Sequence, residues 1–431
     1  GIAFEPGSWK EVVAKAKAEN KLIFLDTYTT WCGPCKWMDK NVYPDAKVGQ
    51  KFNAAFVNYK IDAEKGEGIT LAKKYQVTAY PTYLFVSADE SLVYRTIGSR
   101  PAEKFIEEAD KAVSAGQGRS LAAYEADYAA GKRDATFLSE FLGKKKTLGY
   151  DDSKLLDEYL GILPTDSLLS ARTFGLLVAT PPRVGTKAFT TLADNSDKIK
   201  ELHGAMGQQK AQRAVQSGII ASAQAAMKEG DRAGFDQALA ANTKLAKRPQ
   251  DAARINDNLT VDFYKVTKDT EKYIEATRRY VTTYVETSNL DSLRKLDAQV
   301  YAQITKPYVS GQKDSTSEQG KADYAQMKKY ARSMQTGQVA SLYNRFAWGF
   351  YETVSDKKAL QDALVWSKRS LDIAPDNTAF IDTYAQLLYK TGQSKKAMQW
   401  EQKAIELAKI SEPEGVKGYE ETLEKMKSKT L

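Results

Sequence analysis

Histidine and cysteine are nearly missing from this chain of 431 residues: one of the first, His203, and two of the second, Cys32 and Cys35. A tetrahedral zinc site needs four ligands, commonly two cysteine pairs or one pair with histidines, so a structural zinc knuckle is excluded and no metal is expected. Two cysteines also cannot supply a disulfide framework. The pair is either a redox couple or an accident of sequence. Long apolar runs are missing too: stretches such as Leu22 to Leu25 and Gly175 to Ala179 fall far short of the ~20 residues that cross a bilayer, so no membrane span is expected. An excess of one charge is small, with 63 Lys and Arg against 55 Asp and Glu, for +8. The two signs are interleaved and form no phosphate-tracking stripe, so nucleic acid is not an expected partner.

What is present is a globular composition, 42% hydrophobic and 27% charged with 12 Pro and 27 Gly, which argues against wholesale disorder. At a prior of one domain per ~150 residues, the length implies two or three domains. The chain begins at Gly1 and not at Met, the trace left when a leader is cleaved or omitted, although a tag remnant leaves the same trace.

Residues 1–116 alternate strand-like and helix-like periods. Lys21 to Asp26 is a short apolar run that reads as a buried strand. It leads into Cys32-Gly33-Pro34-Cys35, after which Lys36 to Val42 reads as a helix. Pro34 falls in the first turn, where its missing N–H costs nothing, and this places Cys32 at a helix N-terminus. Ala55 to Ile61 alternates like a strand, Thr70 to Tyr75 reads as a helix, Tyr83 to Val86 and Leu92 to Tyr94 as a strand pair, and Pro101 to Ser114 as an amphipathic helix. The order predicts a mixed sheet with helices on its faces.

A thiolate, not a thiol, attacks a disulfide, and the positive end of a helix favours the anion at Cys32. Cys32 is therefore the expected attacking thiol. Cys35, one turn further in and less exposed, is the expected resolving one.

The run Phe24-Leu25-Asp26, then Trp31-Cys32-Gly33-Pro34-Cys35-Lys36, then Tyr80-Pro81-Thr82 before a strand, resembles thioredoxin. It is similar in particular to periplasmic thioredoxin-like domains of bacteria, including the C-terminal domain of the transmembrane disulfide reductase. The resemblance covers residues 1–116 and implies a thioredoxin fold with thiol-disulfide exchange through Cys32 and Cys35. It implies that Asp26 is a buried proton acceptor for Cys35, with a pKa raised by desolvation. Pro81 is implied to be a cis-proline packed against the cysteines, leaving the Tyr80 backbone free to pair with an extended substrate. Trp31 is implied to cover the site and Gly98 to leave room for a partner. Together Trp31, Gly33, Pro34, Tyr80, Pro81 and Gly98 are the expected substrate-binding residues. Two departures stand out. The family's lysine facing the buried aspartate could align with Asn58 or Lys60, and Tyr80 is larger than the usual Ile, Val or Thr before the proline. The Gly-Pro spacer favours a reducing poise near ~−270 mV.

From about Ser114 to Gly118 onward strand signals nearly vanish, and helical runs of roughly 12 to 20 residues recur between Gly, Asp, Asn and Pro breaks. Ala363, Trp366, Ser370 and Ile373 recur 34 residues later as Ala397, Trp400, Ala404 and Leu407, a spacing that resembles the tetratricopeptide repeat. Ala385, the turn Tyr389 to Gly392, and Pro375 fit that pattern over residues 343–408, with a four-residue expansion between Ala347 and Ala363. Residues 121–160 and 258–284 read as helix pairs that have drifted from it. Pro181-Pro182 and Ser310 to Gly320 read as breaks. Trp348, Trp366 and Trp400 are expected to pack, His203 to be solvated, and Lys144 to Lys146 to be solvated loop ends.

The expected architecture is an α/β thioredoxin fold followed by an all-α helical-repeat region: a thioredoxin-like domain at 1–116, an all-helical region at 117–340, and tetratricopeptide-like repeats with a capping helix at 341–431. The expected function is a thiol-disulfide oxidoreductase that reduces protein disulfides outside the cytoplasm. Its partners would be a disulfide-containing protein substrate, an upstream dithiol donor and a protein held on the repeats. No bound cofactor is needed, because the two sulfurs carry the electrons. The alternative is an adaptor whose repeats bind partners and whose N-terminal domain mainly recognises them. A third reading is a cytosolic thioredoxin fused to repeats.

Overall fold

A computed structural model describes residues 1–150 and 152–431, which form two compact units, Gly1–Ser222 and Ala223–Leu431. The first unit opens with nine elements: α1 (Trp9–Glu19), β1 (Leu22–Tyr28), α2 (Gly33–Asn41), α3 (Ala46–Ala55), β2 (Phe56–Asp62), α4 (Glu67–Lys74), β3 (Thr82–Val86), β4 (Leu92–Ile97) and α5 (Ala102–Gly116). The strands form one mixed sheet in the order β2-β1-β3-β4. Here β1 runs parallel to β2 and antiparallel to β3, and β4 runs antiparallel to β3. This is the thioredoxin fold, with a long all-helical region after it.

Two of these helices were not anticipated, although each has a local start signal. At the start of α1 the Glu11 carboxylate reaches back to accept the backbone N–H and the hydroxyl of Ser8, at 2.8 and 2.9 Å, which satisfies an amide that the first turn leaves unpaired. In α3, Asp45 accepts the backbone N–H groups of Lys47 and Val48. β1 also runs two residues beyond the expected strand, to Tyr28, so Asp26 lies inside it and not at its end.

β1 and β3 read as nearly unbroken apolar runs because the sheet centre is covered on both faces. One face is an aromatic core. Phe52 stacks on Phe105 with centroids 4.6 Å apart and meets Phe24 edge-on at 4.8 Å, while Tyr83 meets Phe105 edge-on at 4.9 Å. Such pairs add ~0.5–1.5 kcal/mol each beyond the area they bury. Met38 of α2 is fully buried in the same cluster, which anchors the helix carrying the cysteines.

The rest of the first unit is helical, beginning with Leu121–Ala129, Ala135–Thr147 and Ser153–Ile162. His203 is not simply solvated: it stacks on Phe174 at 4.0 Å, and its Nε2 lies 2.8 Å from the Leu169 carbonyl oxygen. Lys144 to Lys146 form the last turn of a helix and not a loop end. Lys145 pairs with Asp152 at 2.7 Å, and partial burial lowers the pKa of Lys144 and Lys146.

In the second unit, helices Thr336–Thr353 and Lys357–Ile373 pack together, as do Thr378–Lys390 and Ser394–Ser411, followed by Val416–Ser428. Ala347, Ala363, Ala385, Ala397 and Ala404 are all fully buried, as small residues must be where helix backbones approach closely. Trp366 is buried, Trp348 stacks on Tyr351 and Trp400 meets Tyr384 edge-on, so all three tryptophans pack. The break expected at Ser310 to Gly320 is shorter, because the helix Glu318–Ala331 begins inside it, capped by Ser317. Among the described residues no helix is long and apolar enough to cross a membrane.

Candidate active site

The cysteine pair lies at the start of α2. Cys32 is its N-cap residue, in extended conformation, and its Sγ accepts the backbone N–H of Cys35 at 3.1 Å. Gly33 and Pro34 fill the first turn, and a Cβ at Gly33 would meet no neighbour. Cys32 and Cys35 are joined in a disulfide with Cα atoms 5.3 Å apart. Each is only 3% exposed, so the asymmetry expected between an open Cys32 and a sheltered Cys35 is not present in the oxidised form. Bonded together, the two sulfurs shield one another, and the amide donated to Cys32 Sγ occupies another part of its surface.

Around the disulfide the sheet and loops place the remaining side chains. Trp31 is 64% exposed. Its indole N–H donates to both carboxylate oxygens of Glu64, at 3.0 and 3.1 Å, and its ring meets Tyr80 edge-on at 5.9 Å. The Tyr80–Pro81 bond is cis. The Pro81 carbonyl accepts the N–H of Gly98 at 2.9 Å. Gly98 has φ +92°, a backbone conformation that favours glycine, and a Cβ there would meet open space. Glu64 carried no sequence signal as a partner, since it lies 33 residues from Trp31.

Asp26 is 1% exposed. The strand register sets Lys60 beside it on β2 and Tyr83 opposite it on β3. The choice between Asn58 and Lys60 is thereby resolved. Lys60 Nζ lies 3.7 Å from Asp26 Oδ2 and also pairs with Asp39, whereas the Asn58 amide donates to the Ala3 carbonyl and to Asn53. Tyr43, which sequence reasoning missed, donates its hydroxyl to the same Asp26 Oδ2 at 2.9 Å. Burial pushes the Asp26 carboxyl up to about 6, against the lowering influence of the Lys60 charge and the Tyr43 bond, with the Asp39 charge adding a further rise. A carboxyl that titrates there can exchange a proton near neutral pH. Among the described residues no group of three or more His, Cys, Asp or Glu side chains converges as a metal would require.

A thioredoxin family model matches residues 2–111. Thioredoxin H4 of Arabidopsis thaliana is 33% identical over 91 residues, which span 21% of this chain and 71% of that protein. The chain belongs to the thioredoxin family. Membership rests on this thioredoxin domain alone, about a quarter of the chain. Thioredoxin-1 of Drosophila melanogaster is 40% identical over 75 residues, 17% of this chain, so the chain spans only 65% of that relative's length. The thiol:disulfide interchange protein DsbD of Yersinia pestis is 33% identical over 95 residues, 21% of this chain and 16% of that protein.

Proposed function

We propose that the protein is a thiol-disulfide oxidoreductase that reduces protein disulfides through Cys32 and Cys35. The observation that carries this reading is the cysteine pair at the N-terminus of α2, in a domain where burial pushes the Asp26 carboxyl up to about 6. In the reduced protein the Cys32 thiolate attacks a substrate disulfide, forming a mixed disulfide and releasing one substrate thiolate. Asp26 takes the proton of Cys35, whose thiolate then attacks Cys32 Sγ. The Cys32–Cys35 bond forms and the second substrate thiolate leaves, so two electrons have passed to the substrate. An upstream dithiol donor returns the pair to the reduced state.

Trp31, Gly33, Pro34, Tyr80, Pro81 and Gly98 would form the substrate face, with the Tyr80 backbone offering an edge to an extended peptide. We assign residues 1–116 to the catalytic domain, 117–340 to a helical region and 341–431 to tetratricopeptide-like repeats. The repeats would hold a partner or the substrate protein. The setting is extracytoplasmic, in line with the resemblance to periplasmic thioredoxin-like domains.

Insulin reduction with dithiothreitol as donor, followed by turbidity, tests the reading. The wild type should accelerate precipitation and Cys32→Ser should abolish the acceleration. Equal, background rates for both would replace the reductase with a recognition module.

A further inference from the structure

Tyr43 follows the end of α2, where its backbone is held at both polar groups. Its N–H donates to the Met38 carbonyl at 3.0 Å, and its own carbonyl accepts the N–H of Ile2 at 2.8 Å. Its ring packs edge-on against Phe4 at 5.4 Å and lies 6.0 Å from Phe105, leaving the residue 6% exposed. The hydroxyl is therefore fixed in place, and it donates to Asp26 Oδ2. Lys60 faces that same oxygen. Among the described residues Asp26 Oδ1 is buried and has no hydrogen-bonding partner, and the buried Tyr83 hydroxyl, from the strand opposite, interacts with the Tyr43 hydroxyl. The carboxyl is thus asymmetric: one oxygen is held by a donor, the other is bare.

We propose that Tyr43 is a positioning residue for proton transfer at Asp26, holding Oδ2 so that Oδ1 is the oxygen that receives and returns the proton of Cys35. The inference rests on the thiol-disulfide reading above. A hydroxyl donor favours the charged carboxylate and opposes the desolvation that would otherwise keep Asp26 protonated through neutral pH. Tyr43 itself does not compete for the role of acid. Burial and the neighbouring Asp26 charge hold its phenol well above its ordinary value, so it remains a donor throughout the working range. The charged or titratable groups that face Asp26 are Lys60 from β2, Tyr83 from β3, and Asp39, which reaches it from α2 through Lys60. Of these and Tyr43, only the Tyr43 hydroxyl donates to Asp26 within 3 Å.

The test is the carboxyl 13C NMR titration of Asp26 in oxidised wild type and in Tyr43→Phe, with the pH profile of insulin reduction beside it. Removing one hydroxyl should raise the Asp26 midpoint by about one pH unit, a tenfold gain in proton affinity. The acid limb of the rate should move by the same amount, with a loss of up to about tenfold near pH 6 and none above pH 8. A merely structural role would lower the rate by one factor at every pH. An unmoved Asp26 midpoint in folded Tyr43→Phe overturns the proposal while leaving the reductase intact. A wild type without activity overturns the reductase while the carboxyl titration still decides the hydrogen bond. Should Tyr43→Phe not fold, the Tyr43 Cζ resonance of the wild type decides instead. It should titrate with the Asp26 midpoint, and a flat response between pH 4 and 8 overturns the proposal.

Discussion

The thioredoxin domain and the C-terminal helix pairs each bury a carboxyl, and the two environments are opposite. Asp26 sits in a sheet whose register and loops bring it a cation, Lys60, and a hydroxyl donor, Tyr43. Glu401 is 0% exposed on the helix Ser394–Ser411, and the group that acts on it is another carboxyl, Asp382, on the helix before. Burial raises both. Asp26 is brought back to about 6, where it can exchange a proton, because opposite charge and a donor favour its ionised form. Glu401 is pushed well above the carboxylate range because Asp382 adds a like charge to the cost of burial. Burial alone does not make a carboxyl functional; the partners decide which pH it serves.

The largest difference between the two should appear in activity. Asp26→Asn cannot accept the Cys35 proton, so insulin reduction at pH 7 should fall about a hundredfold and the limb near pH 6 should vanish. The same variant should gain stability. The folded pKa of Asp26 is raised from 3.8 to about 6, so the folded state binds the proton more tightly than the unfolded state. Stability is therefore fully present at low pH and is lost as pH climbs through that interval. Asn restores roughly 2–3 kcal/mol at pH 7, to be read from urea unfolding at pH 4 and 7. A reductase rate that survives in Asp26→Asn would reduce the contrast between the two regions to one of packing.

Glu401→Gln is the counterpart and should act on stability only. Because Glu401 is also raised, the second unit should lose stability as pH rises above the ordinary glutamate range. The slope would be on the order of 1 kcal/mol per pH unit. Gln should flatten it in calorimetric scans from pH 5 to 9 without changing the reductase rate. A slope that persists in the variant would show that Glu401 is not the group responsible. The smallest change in free energy is expected of Lys60→Met. With the cation gone, the Asp26 midpoint should rise from about 6 by at least as much as in Tyr43→Phe, because the Lys60 charge lowers Asp26 more than the Tyr43 bond does, and the rate near pH 6 should fall about tenfold.

How much could be read in advance depended on range. Cys32 at the start of a helix followed from Pro34 two residues later, and the buried strand around Asp26 from an apolar run, because capping and burial patterns are local. The Ser8–Glu11 contact is equally local. Asn58 and Lys60 are equivalent in sequence because both lie on one strand, two apart, and only the pairing of Asp26 with Lys60 separates them. Tyr43 and Glu64 leave no mark at all, being 17 and 33 residues from the groups they bind. His203 failed for the same reason, since its stacking partner Phe174 belongs to a different helix.

By itself the sequence determined the spacing of the cysteine pair, the helix that presents it, the mixed sheet beneath it and the change to helices beyond residue 116. These follow from side-chain periodicity, proline and capping, which act within a few residues. Which lysine faces Asp26, which oxygen of Asp26 is left bare, and how evenly the oxidised cysteines are covered were decided only when the chain closed on itself. Hydrogen bonds and desolvation depend on distances of about 3 Å between groups far apart in sequence, and folding alone sets those distances.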